Sequence, residues 1–110
     1  MGYRSEVAIA LTRNLFEEIK SELEEDDQDN LDTAIVEESK EQVLLHFIWI
    51  KWYPEYNMVK TIESNIKKNP QSARLVRLGE SWEDIEEFGS LYDDDFDMHI
   101  NRSIEYSNPF

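Results

Sequence analysis

The chain contains no cysteine, which excludes a disulfide framework, a thiol nucleophile and a thiolate metal site. That is compatible with a reducing cytoplasm, the compartment expected here. Residues 1–6 carry no apolar signal-peptide core, and no run approaches membrane-spanning length, so no membrane association is expected. Glu6 stands where an N-myristoylation signal needs Ser or Thr. Cations are scarce: 11 Lys and Arg face 25 Asp and Glu, for a formal net charge of −14. Such a surface repels nucleic acid, because a binder must neutralise phosphates, so direct nucleic-acid binding is not expected. It is drawn instead to a basic partner, with a salt-sensitive association rate. Acidity also serves solubility without specifying any partner. Histidine is rare as well. His46 and His99 both fall on predicted strands, and no spacing pairs either with a Ser or a carboxylate, so each reads as a sheet histidine rather than a general base. No catalytic or cofactor motif is present, and the expectation is a protein that is not an enzyme, with no cofactor and no metal.

What is present is one dominant apolar run, 42–53, rich in aromatic and β-branched residues and stopped by Pro54. That composition predicts a strand. Alternation puts Val43, Leu45, Phe47 and Trp49 on one face and Leu44, His46, Ile48 and Ile50 on the other. Both faces are apolar, as in a central strand covered on two sides. A one-residue bulge near Trp49 would exchange the faces of its later half.

Around this run the 110 residues read as one domain, 1–110. Residues 3–11 alternate as a first strand. Thr12 is placed to cap a helix whose stripe is Leu15, Phe16, Ile19 and Leu23. Glu22, Glu24, Glu25, Asp26, Asp27 and Asp29 follow, crowding a helix C-terminus that favours cations, and predict an acidic loop. Residues 31–38 read as a short second strand, hairpinned to the central one. Met58, Val59, Ile62 and Ile66 stripe a second helix that ends at Lys67, Lys68, Asn69 and Pro70. Residues 73–78 read as a fourth strand. Ser81 to Asp84 reads as a capping box for a short third helix with Trp82, Ile85 and Phe88 on one side and Gly89 as its C-cap. Residues 98–106 alternate as a fifth strand. The expected fold is α+β: a ferredoxin-like βαββαβ unit with an added short helix and a C-terminal strand. The first and third strands are expected side by side and parallel, with both long helices on one face.

Asp93, Asp94, Asp95 and Asp97 begin like a calcium loop. Met98 then stands where the turn needs Gly, and Ile104 where the bidentate Glu belongs, so a solvated acidic loop is the expectation. Trp49, Trp52, Tyr53 and Tyr56 cluster around Pro54 and read first as core and second as part of a protein interface.

Met1-Gly2-Tyr3-Arg4-Ser5-Glu6-Val7-Ala8, Lys51-Trp52-Tyr53-Pro54, and Arg77-Leu78-Gly79-Glu80 with Glu83-Asp84-Ile85-Glu86 together resemble segments of small acidic bacteriophage and prophage proteins. The resemblance brings no catalytic residues. It implies a virus-encoded accessory protein in the cytoplasm of a bacterial host. By analogy it implies action on a host machine, as in inhibitors of CRISPR and restriction systems.

Two functional expectations follow. The first is a DNA-mimic or anti-CRISPR-like protein that occupies a basic, nucleic-acid-handling host protein. Its acidic patches would be Glu22, Glu24, Glu25, Asp26, Asp27 and Asp29, and Glu83, Asp84, Glu86, Glu87, Asp93, Asp94, Asp95 and Asp97, with carboxylates in place of phosphates. The second is a homodimeric structural or regulatory protein whose acidity serves solubility alone. Leu44, His46 and Ile48, facing away from the helices, would form its two-fold interface.

Overall fold

The computed structural model describes residues 2–81, 83–91, 95–96, 98–100 and 104–106. Strand β1 (Ser5–Thr12) is central. Thr12 ends it and, as expected, caps helix α1 (Arg13–Ser21), its Oγ1 accepting from Leu15 N at 3.2 Å. The acidic stretch that follows is not a loop. It folds as helix α2 (Glu25–Thr33). The charge argument applies in reverse: the chain breaks after Glu22, so Glu25, Asp26 and Asp27 fall in the first turn of a new helix, where the macrodipole favours anions. The Gln28 amide donates back to Lys20 O and Leu23 O, satisfying carbonyls at the end of α1. Leu31 anchors α2 in the core. The second strand shrinks accordingly to β2 (Ile35–Glu38).

Strand β3 (Gln42–Ile50) follows, then helix α3 (Asn57–Lys68), a 3-10 turn at Pro70–Ser72 and strand β4 (Ala73–Gly79). The expected third helix is a strand, β5 (Ile85–Gly89), hairpinned to β4. Asp84 does not cap a helix; it is held by Arg77 and Tyr3. Its carbonyl accepts from Gly79 N at 2.7 Å, which closes the hairpin. Gly89 is no helix cap but ends β5 with φ 84, and a Cβ there would collide with the Ala73 carbonyl. Trp82 lies outside the described residues. The expected fifth strand is a small hairpin of β6 (His99–Ile100) and β7 (Ile104–Glu105).

The fold is α+β, with three helices and a five-stranded antiparallel sheet in the order β2-β3-β1-β4-β5. β1 and β3 are neighbours, but they run antiparallel rather than parallel. The reason lies in the connections. The α1–α2 crossover returns the chain so that β2 runs along β1. The hairpin then brings β3 back between them, opposed to both.

One face of the sheet carries Val7, Ile9, Val43, Leu45 and Phe47 against Phe16, Ile19, Leu23, Val59, Ile62 and Ile66, as the sequence predicts. Trp49 is missing from that core. Ser5 pairs with Ile50 whereas Val7 pairs with Phe47, so β3 holds one extra residue there. This bulge turns Ile48 and Trp49 outward, 71% and 60% exposed, and returns Ile50 to the helix side. The opposite face is closed by the chain itself. Phe96, Met98 and Ile104 cover Ala8, Ala10, Leu44 and Val76. Each of these three covering side chains contributes roughly 1.5–3 kcal/mol. Leu44 is fully buried and has no surface for a second subunit, which removes it from the expected dimer interface.

Candidate functional site: an acidic helix beside an exposed strand end

The two acidic regions differ once folded. In the first, Glu22, Glu24, Glu25, Asp26 and Asp29 are exposed and Asp27 half-buried along the start of α2. No salt bridge engages any of these six among the described residues. The only salt bridge from this helix there is Asp32 to Lys20 Nζ at 2.8 Å, which ties α2 to α1 and raises the Lys20 pKa chiefly through that hydrogen bond.

The second region is organised around Arg77, a buried residue of β4. Its Nη2 donates to Asp84 Oδ1 at 2.7 Å, its Nε to Glu86 Oε1 at 2.6 Å and its Nη1 to Ser5 Oγ at 2.9 Å. Tyr3 OH donates to Asp84 Oδ2 at 2.7 Å and accepts from Ser81 N at 3.0 Å. Burial works against the guanidinium charge, but the hydrogen bonds to Asp84 and Glu86 outweigh it, and the Arg77 pKa is raised. The same hydrogen bond from Arg77, followed by that from Tyr3, lowers the Asp84 pKa. Glu87 pairs with Arg74 at 3.3 Å. Asp95 is likewise engaged: Oδ2 accepts from Ser39 Oγ at 2.5 Å and its N–H donates to Gln42 Oε1 at 3.1 Å. Glu83 is exposed. Asp93, Asp94 and Asp97 lie outside the described residues.

His46 does meet a carboxylate. Its Nε2 lies 2.7 Å from Glu6 Oε2, its Nδ1 3.3 Å from Tyr106 OH, and its ring packs edge-on against Tyr106. Forty residues separate His46 from Glu6, so no local spacing could have revealed the pair. Glu6 Oε2 also accepts from Ile104 N at 3.4 Å. The cluster fastens the covering hairpin to the sheet. Burial, then the charges of Glu37 and Glu6, raise the Tyr106 pKa. No group of three or more metal-ligating side chains occurs among the described residues. No described helix is long and apolar enough to cross a membrane.

The aromatic cluster splits. Trp52 is core: it packs against Phe47 and donates to Glu63 Oε2 at 2.9 Å. Trp49 is surface. A shallow groove runs past it, walled by Asn30 and Thr33 of α2, Ile48 and Ile50 of β3, and Met58 of α3. It continues toward Asp27, Lys51 and Tyr56. The signal that could have found this wall is the loss of alternation in Ile48-Trp49-Ile50, which only the bulge resolves.

Searches against family models, curated proteins and solved structures find nothing that matches this chain.

Proposed function

We propose that this chain is a small binding protein that occupies a basic, nucleic-acid-handling protein, with carboxylates standing in for phosphates. The observation that carries this reading is α2: five exposed carboxylates and one half-buried between Glu22 and Asp29, none in a salt bridge among the described residues. Lined up along a helix start, they form a negative field that a solubilising charge scatter would not concentrate. In the second acidic region Asp84, Glu86 and Glu87 contribute less, because Arg77 and Arg74 already hold them.

The setting that accompanies this reading is a bacteriophage or prophage protein in the cytoplasm of a bacterial host, acting on a defence protein. It is supported by the residue segments 1–8, 51–54, 77–80 and 83–86 alone. We also read the first four strands as a ferredoxin-like unit. The order β2-β3-β1-β4, with every pairing antiparallel, supports it, and β5 and the small hairpin are additions.

The test compares the parent with a variant carrying Glu22→Gln, Glu24→Gln, Glu25→Gln, Asp26→Asn, Asp27→Asn and Asp29→Asn as baits in bacterial lysate. The parent captures basic nucleic-acid-binding proteins that added salt or duplex DNA releases. The variant loses them. A neutralised bait that retains the same partners would overturn the reading.

A further inference from the structure

Edge strands are normally blunted with charge, Pro or a bulge. Here the register of β2 against β3 ends at Ile35 and Leu45, and a last hydrogen bond runs from His46 N to Ala34 O at 2.9 Å. Past that point Phe47 to Ile50 have a strand neighbour on one side only, β1, among the described residues. The bulge is present, but the residues it turns outward are not charged. Ile48 and Trp49 are consecutive, apolar and mostly exposed.

We infer that this open end of β3 and its groove receive an extended, basic segment of a partner protein. Its apolar side chain would sit on Ile48 and Trp49, and its cationic groups would lie along α2. The inference rests on the reading of α2 as an acidic contact and specifies what sits beside it. Three observations choose the occupant. One groove wall is α2 itself, with Asn30 lining it throughout and Asp27 at its far end, so bound cations lie beside Asp27 and in the field of the exposed carboxylates on the same helix. Glu55 adds a further carboxylate to that end of the groove, which Arg4 and Lys51 also line. A second copy of the chain, by contrast, would bring another −14 charge and another α2 against the first. Two exposed apolar side chains are also far short of the roughly 800 Å² per partner that a stable dimer buries. A basic strand meets neither objection. It gains backbone pairing, one apolar anchor and charge attraction together.

The probes are three short synthetic peptides. One alternates Lys and Thr around two central Leu residues at alternate positions. The second has Ser for Leu, and the third has Glu for Lys. Binding is followed by amide NMR shifts on the intact protein and by titration calorimetry. The Leu peptide should bind about tenfold tighter than its Ser counterpart, from burial of the anchor, with amide shifts at Ile48, Trp49 and Ile50. Trp49→Ser should abolish that tenfold difference, and Ile48→Thr should reduce it. Because the parent's own amide shifts locate the site, a variant that folds poorly does not leave the question open. Equal binding of the Leu and Ser peptides, with shifts confined to α2, would overturn the groove while leaving the acidic contact standing. Equal binding of the Glu peptide, or no binding of any peptide, would also overturn it. So would a concentration-dependent dimer of the parent with Ile48 and Trp49 in its interface.

Discussion

The start of α2 and the β4–β5 hairpin are both crowded with carboxylates, and the fold uses them in opposite ways. At β4–β5 each of Asp84, Glu86 and Glu87 faces an arginine, and Asp84 is further fixed by Tyr3. There the acids hold the hairpin in register and leave little field beyond the surface. Along α2 the carboxylates from Glu22 to Asp29 meet solvent. Their contribution to the fold is confined to the first turn, where Glu25, Asp26 and Asp27 complement the helix dipole. Equal acidity in composition thus separates into acid that builds structure and acid that projects a field. Only the second kind is free to meet a partner.

The largest effect that tests this comparison is Arg77→Met. It strands Asp84, Glu86 and the Ser5 hydroxyl at the edge of a buried guanidinium site. Losing charge-assisted hydrogen bonds of this kind costs about 2–3 kcal/mol. Urea unfolding should show that loss in the midpoint. A loss below about 0.5 kcal/mol would mean the hairpin acids are as dispensable to the fold as those of α2.

The next effect is a pH dependence belonging to one region. The folded Asp84 pKa lies below its ordinary value, chiefly because Arg77 donates to it and then because Tyr3 does. The unfolded chain therefore binds the proton more readily. The contribution is fully present above the unfolded value of about 4 and is lost as pH falls through the lower folded value. Asp84→Asn should lower stability near neutral pH and flatten the decline of stability below about pH 4. Unfolding midpoints from about pH 7 down to about pH 3 check this. A variant whose acid-side decline has the parent's slope would remove Asp84 from the network.

The sequence carried the parts of this picture that depend on period and local chemistry. The Leu15, Phe16 and Ile19 stripe, the Thr12 cap, and the alternation of β1 and β3 were all legible, and with them the helix-covered core. What failed depended on events distant in the chain. Residues 81–89 have helical signals, yet Leu75 opposite Phe88 and Arg77 opposite Glu86 make Ile85–Gly89 a strand, because tertiary pairing overrides weak local propensity. The α2 acids read as a loop because the sequence does not mark the break after Glu22, which turns unfavourable C-terminal charge into favourable N-terminal charge. Leu44 reads as part of a subunit interface because nothing in residues 98–106 shows that a two-strand hairpin folds back over it. Of the candidate site, the acids on α2 were legible by composition. That none of them forms a salt bridge among the described residues was not, since it depends on where Arg74 and Arg77 point.

The smallest effect is the most discriminating. Asp29 lies in the middle of α2, exposed, past the turn in which the dipole favours anions. Glu25 and Asp26 precede it by four and three residues, and Asp32 follows by three. At those spacings like charges repel by about 0.2–0.5 kcal/mol per pair, reduced by salt. Asp29 attracts Lys20 only at a distance, since the Lys20 ammonium is held by Asp32. Asp29→Asn keeps the side-chain shape and nearly the same helix propensity. It should therefore leave stability unchanged or raise it by up to about 0.5 kcal/mol at low salt, with the gain fading as salt is added. The same substitution should slow association with the proposed basic partner, because it removes charge from the field without touching the fold. Urea midpoints at low and high salt, measured beside association rates, decide the matter. A destabilisation above about 1 kcal/mol would give Asp29 an internal role like that of Asp84, and the contrast between the two acidic regions would collapse.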